Sequence, residues 1–109
     1  MLRRLEELSN LIGVSGDEGR VRRYIKAELA NIDGLDMKTD AMGNLIVHKA
    51  GKGPKVMVAA HMDEVGMMVT DIEEDGLLRI RSVAGVDPRV LPGSEVLVHG
   101  KRVLNAVVG

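Results

Sequence analysis

One stretch decides how this chain is expected to fold: Val56-Met57-Val58-Ala59-Ala60-His61-Met62-Asp63-Glu64-Val65-Gly66. Its first half is a short apolar run with β-branched valines, which is typical of a buried strand. The run ends in a histidine, followed two positions later by an aspartate. Side chains at positions i and i+2 of an extended segment share a face, so His61 and Asp63 are expected to be neighbours.

The pairing of a histidine with a carboxylate is typical of part of a metal site. A carboxylate bonded to one ring nitrogen fixes the tautomer and leaves the other nitrogen free for a metal. Binding sites in open α/β sheets favour the carboxyl ends of strands, where His61 and Asp63 fall. A histidine capping a strand end before an exposed acidic turn also explains these residues. Glu64 is expected to point away from the face that carries His61.

Four separated segments of the chain share their order and approximate spacing with one enzyme family. These segments are Leu8–Glu18, Asp40–Ile46, Ala60–Gly66 and Val83–Gly93. They resemble the tetrahedral (glutamyl and deblocking) aminopeptidases, a family of dinuclear metallopeptidases. The resemblance extends from about Leu5 to the last residue.

The resemblance implies an α/β fold in two parts. Residues 1–65 would form the N-terminal part of a metallopeptidase α/β sandwich, with two helices followed by strands. Residues 66–109 would begin an inserted, β-rich oligomerisation domain, through which dimers of the family build a larger particle. The implied partners are therefore a peptide substrate and further copies of the same chain.

The resemblance also implies a reaction and its site residues. Two divalent metal ions, zinc or cobalt, would activate a water against the first peptide bond of a peptide. His61 would bind one metal, and Asp63 would act in catalysis by orienting His61. The family's remaining ligands and its glutamate general base match nothing in these 109 residues. We therefore expect the chain to be the N-terminal piece of such an enzyme, with at most a partial metal site and no activity alone.

Two alternatives to a peptidase differ in how well the sequence fits them. A non-catalytic, β-rich interaction or oligomerisation remnant of the same family would explain the second half of the chain. Some members of the family carry endoglucanase or cellulase labels. Glycoside hydrolysis needs a pair of suitably separated carboxylates, and the sequence gives no indication of one.

Composition limits the partners and the compartment. The 109 residues are 45% hydrophobic and have a net charge of −1, which gives no electrostatic reason to expect nucleic acid or an anionic membrane as a partner. Tyr24 is the single aromatic residue, so the stacking platforms of single-strand binders are missing. The chain has no cysteine and no apolar run after its N-terminal basic pair. These features favour a reducing compartment, and we expect the cytoplasm.

Periodicity predicts the order of the secondary structure. Apolar residues at helical spacing indicate a first helix near residues 2–11. A capping box, in which Ser15 caps and Glu18 reaches back, indicates a second helix that ends near Ala30. Strands are predicted in the rest of the chain. Their ranges are 37–39, 45–48, 55–60, 66–73, 77–82, 95–99 and 102–108.

Overall fold

The computed structural model describes all residues from Met1 to Gly109. Two α-helices come first, followed by three antiparallel hairpins and one short 3₁₀-helix. The bounds are α1 Leu2–Ser9, α2 Gly19–Leu29, β1 Leu35–Thr39, β2 Leu45–Lys49, β3 Gly66–Ile72, β4 Leu78–Val83, the 3₁₀-helix Pro88–Val90, β5 Glu95–His99 and β6 Val103–Val107. The predicted order of two helices followed by strands is therefore confirmed.

The chain divides into two compact units, residues 1–64 and residues 65–109. In the first unit the buried apolar side chain is Val21 of α2, which is 6% exposed. Polar side chains join the two helices, because Tyr24 donates to Glu7 and Arg4 Nε donates to Glu28 at 2.6 Å. An ion pair such as Arg4–Glu28, in which the arginine is largely exposed, adds little stability, so the burial of Val21 contributes more to packing.

The first hairpin, β1–β2, ends in a tight turn. Asp40 accepts hydrogen bonds from the backbone N–H groups of Met42 and Asn44, at 3.0 and 2.8 Å, and from the Asn44 amide at 2.9 Å. Gly43 adopts φ +88°, a conformation that favours glycine. Arg22 of α2 donates to the Gly43 carbonyl at 2.7 Å, which attaches the turn to the helix.

The second unit consists of the β3–β4 and β5–β6 hairpins. The β3–β4 register shifts between Val69 and Asp71, so a bulge interrupts the alternation of faces. Because of this bulge, Ile72 lies on the same face as Val69 although the two are three residues apart. The β5–β6 hairpin is regular from the Glu95–Val107 pair to the His99–Val103 pair.

One predicted strand is wrong. Residues 55–60 form no ladder with any neighbour, and β2 pairs only with β1. Val56, Met57 and Val58 are 82%, 90% and 91% exposed. A strand persists through hydrogen bonds to adjacent strands, and an apolar one needs layers on both faces. The apolar pattern predicted the strand, but these 109 residues supply neither a pairing strand nor a layer that covers its faces.

The predicted capping box is also wrong. Glu18 is the residue before α2, and its Oε1 accepts from the backbone N–H of Gly16 at 2.6 Å. This bond is the main reason that the pKa of Glu18 is lowered from its ordinary value. The Ser15 hydroxyl donates to the Asp63 carboxylate and does not cap the helix. An ionised carboxylate is a stronger acceptor than a neutral group, which favours this contact.

No helix in the structure is both long enough and apolar enough to cross a membrane.

Candidate metal-binding site

The segment that carries His61 and Asp63 is held against the loop between α1 and α2. Glu64 N–H donates to the Gly13 carbonyl at 2.8 Å, and Gly13 N–H donates to Glu64 Oε1 at 2.9 Å. Val14 and Glu64 form an isolated parallel β-bridge. The side chain of Glu64 is thus engaged with Gly13, in agreement with the expectation that it points away from His61.

His61 and Asp63 are in direct contact. His61 Nδ1 lies 3.0 Å from Asp63 Oδ1 and 3.0 Å from the backbone carbonyl oxygen of Asp63. A backbone carbonyl can only accept, so Nδ1 carries the hydrogen and donates to both oxygens. In the neutral imidazole the lone pair is then on Nε2. The i, i+2 neighbourhood predicted for these side chains is therefore present, although the segment is not part of a sheet.

The two oxygens of the Asp63 carboxylate have different partners. Oδ1 accepts from His61, and Oδ2 accepts from the Ser15 hydroxyl. The Ser15 hydrogen bond is the largest influence on the carboxyl and lowers the pKa of Asp63 from its ordinary value. The His61 hydrogen bond also lowers the pKa of Asp63, whereas partial burial acts in the opposite direction. Asp63 is therefore held as a carboxylate, which is the form that accepts two hydrogen bonds.

The imidazole faces solvent, whereas the carboxylate is partly covered. The His61 side chain is 86% exposed and the Asp63 side chain is 34% exposed. Both line an open concave surface, together with Glu18 and the strand β2. Nε2 of His61 is thus accessible to a ligand, while Asp63 is enclosed between His61 and Ser15.

The hydrogen bonds of His61 are those expected of a histidine that binds a metal ion through its other ring nitrogen. A metal-bound histidine commonly donates its other ring N–H to a carboxylate or a backbone carbonyl, and His61 does both. No group of three histidine, aspartate or glutamate side chains lies close enough to hold an ion. His48, which is exposed on β2, lines the same concave surface but belongs to no such group. His99 is exposed on β5, in the other compact unit.

Ser15 is the site residue that the sequence did not reveal. Its position before Glu18 matched a capping motif, which is a local pattern, whereas its actual partner is 48 residues away. The resemblance of segments 8–18 and 60–66 to one family was the available signal. It did not show which atoms of the two segments meet.

Comparison with known families identifies the chain. The family model described as M42 glutamyl aminopeptidase matches residues 43–109, which is more than half of the sequence. The chain belongs to the M42 glutamyl aminopeptidase family. The predicted family is therefore confirmed.

Proteins similar to this M42 chain are longer than it. A putative aminopeptidase of Acetivibrio thermocellus is 43% identical over 106 residues, which cover 96% of this chain and 30% of the relative. The solved structure of the Pyrococcus horikoshii TET1 peptidase, described as assembling into a tetrahedron or a large octahedral shell, has a TM-score of 0.87 and 38% identity. It matches 99% of this chain over 32% of its own. The M42 chain thus spans about a third of the length of these proteins.

A third similar structure carries a different label. The endoglucanase of Thermotoga maritima is 49% identical with a TM-score of 0.74, over 84% of this chain and 30% of its own. The expectation that some relatives carry this label is confirmed. The structural likeness to these M42-related proteins also confirms the predicted α/β fold class, with two helices followed by antiparallel strands.

Proposed function

We propose that this M42 chain supplies part of the active site of a metal-dependent aminopeptidase, which removes N-terminal residues from peptides. The observation that carries the proposal is the hydrogen bonding of His61. Nδ1 donates to Asp63 and the exposed Nε2 keeps a free lone pair. The family membership and the aminopeptidase names of similar proteins support the same class of reaction.

In this proposal His61 and Asp63 have separate roles. His61 Nε2 would hold one of two divalent metal ions, zinc or cobalt, which when bound supply a nucleophilic water at neutral pH. Asp63 would keep the imidazole in the orientation and tautomer that metal binding needs. Its negative charge would make the Nε2 lone pair a stronger electron donor to the metal. The remaining ligands and a general base would come from elsewhere in the complete protein.

We further propose that residues 1–65 belong to the catalytic domain and that residues 66–109 contribute to homo-oligomer formation. The division into compact units after Glu64 supports the first part. Exposed apolar side chains on one face of β5–β6, among them Leu97 and Val107, support the second. Such a face is stable in water when another protein surface covers it.

The absence of cysteine supports a reducing compartment such as the cytoplasm.

The test uses the protein expressed from its complete reading frame. Bound zinc and cobalt are measured by elemental analysis, and turnover of amino-acid anilides is measured in parallel. We expect His61→Ala to lose metal and activity, and Asp63→Asn to lower metal affinity or activity by about 10- to 100-fold. His99→Ala is the matched control for metal content, because it removes another exposed imidazole, from the other compact unit.

A result that leaves metal content and turnover unchanged in His61→Ala would overturn the proposal. Equal losses in His61→Ala and His99→Ala would also count against it, because they would indicate a general effect of removing an imidazole.

A further inference from the structure

The roles proposed for His61 and Asp63 leave the contact between Ser15 and Asp63 without a function in metal binding. An aspartate side chain turns freely about its terminal torsion, which is broad and roughly two-fold. The hydrogen bond from His61 alone does not prevent this rotation, which can take both oxygens out of line with Nδ1. A second donor on Oδ2 restricts the rotation, since turning the carboxylate then breaks two hydrogen bonds.

The loop that carries Ser15 is itself fixed to the site segment. The two Gly13–Glu64 hydrogen bonds lie next to Asp63 in the chain, and Asp17 N–H donates to the Val14 carbonyl at 2.8 Å. Ser15 is therefore placed by backbone bonds on both sides, and its partly buried hydroxyl is directed at Asp63. A donor placed by backbone bonds holds its acceptor better than a mobile surface side chain does.

We propose that Ser15 is a positioning residue of the metal site: its hydroxyl holds Asp63 Oδ2, so that Oδ1 stays on His61 Nδ1 and the lone pair of the imidazole stays on Nε2. This inference rests on the proposed function, in which Nε2 is the atom that binds metal. Ser15 itself touches neither metal nor substrate.

The direct test is the tautomer of His61 in the metal-free protein. Ring-nitrogen NMR shifts are measured with ¹⁵N-labelled histidine at about pH 9, well above the ordinary histidine pKa of about 6.5. In the unmodified protein we expect the hydrogen on Nδ1. In Ser15→Ala we expect a partial shift towards the Nε2–H form that prevails in free histidine, because the Asp63 backbone carbonyl still accepts from Nδ1. His99, in the other compact unit, serves as the internal reference whose signals should not change.

Three controls separate positioning from a general loss of structure. Ser15→Thr keeps a hydroxyl donor and should restore the unmodified signals. Ser9→Ala makes the same change at an exposed residue at the end of α1 and should have no effect. Far-UV circular dichroism shows whether each variant keeps its helices. Zinc affinity, measured against a chelator, should fall about 10- to 100-fold in Ser15→Ala and recover in Ser15→Thr.

The outcomes distinguish this inference from the proposed function. Unchanged His61 ring signals in a folded Ser15→Ala protein would overturn the role of Ser15 and leave the role of His61 intact. Conversely, if His61→Ala keeps its zinc while Ser15→Ala shifts the tautomer, Ser15 positions Asp63 but the proposed metal site is wrong. Failure of Ser15→Thr to restore the signals would also overturn the inference, because the hydroxyl would then not be the active group.

Discussion

Gly13→Ala is the substitution whose effect the structure predicts most directly. A methyl group at Gly13 would lie 2.7 Å from Val21 Cγ2, closer than carbon atoms can approach. Val21 is the buried apolar residue of its unit, so its side chain has little room to move. Gly13 also holds Glu64 through two hydrogen bonds, one from the Glu64 backbone N–H and one to the Glu64 side chain, so a shift of the loop would disturb the segment that carries His61.

The size of the effect follows from two opposing contributions. Overpacking of a buried site costs about 1–3 kcal/mol. Replacing glycine by alanine at an ordinary φ stabilises by about 0.4–1 kcal/mol, because the unfolded chain loses freedom. Gly13 is not among the glycines with positive φ, so this gain applies. We therefore expect a net destabilisation of about 1 kcal/mol, measured by urea unfolding and far-UV circular dichroism.

A double-mutant cycle tests the reason for this loss. In a Val21→Ala background the clashing Cγ2 atom is absent, so Gly13→Ala should become neutral or stabilising by about 0.4–1 kcal/mol. Gly53→Ala is the control, since nothing lies within 4 Å of the added carbon and its φ is ordinary. If Gly13→Ala destabilises the protein equally with and without Val21, the steric explanation is wrong.

Two further predictions concern acid stability and association. The hydrogen bonds from Asn44 lower the pKa of Asp40, so its contribution to stability is present above the ordinary pKa and is lost as the pH falls through the lowered one. The protection factors of amides in β1–β2, which are exchange rates corrected for the intrinsic pH dependence, should therefore fall below about pH 4. Asp40→Asn should remove that part of the acid dependence, while Asp36→Asn keeps it. Light scattering at micromolar concentration should show a dimer or larger species, which Leu97→Lys combined with Val107→Lys should dissociate. A folded monomer before any substitution would contradict the proposed interface.

Local patterns were sufficient to locate most of the secondary structure. Helical spacing of apolar residues predicted α1 to within a few residues, since a helix depends on contacts three and four positions apart. The Ser15–Glu18 pattern placed α2 correctly, although the capping contacts themselves are absent. The strands predicted at 66–73 and 77–82 form the β3–β4 hairpin, and Asp75-Gly76, a pair typical of hairpin turns, lies between them with Gly76 at φ +88°. The proximity of His61 and Asp63 also follows from local geometry, because both lie on one face of an extended segment.

Contacts between distant residues could not be read from these patterns. The apolar run at residues 55–60 indicated a strand, but pairing depends on neighbours that the rest of the fold must supply. Ser15 had two possible partners, its own helix and a carboxylate 48 residues away. The Ser15 hydroxyl bonds to the carboxylate because the α1–α2 loop packs against Glu64, next to Asp63.

By itself, the sequence determined the family, the order of two helices and the later hairpins, and the pairing of an imidazole with a carboxylate at positions i and i+2. The tertiary structure alone decided that Ser15 holds the second oxygen of Asp63, and that Gly13 lies against both Val21 and Glu64. The physical reason is the range of the interactions. Periodicity and turn chemistry act over a few residues. The contacts of Gly13 with Glu64 and of Ser15 with Asp63 join residues 51 and 48 positions apart, and Gly13 meets Val21 only because the α1–α2 loop folds back on α2.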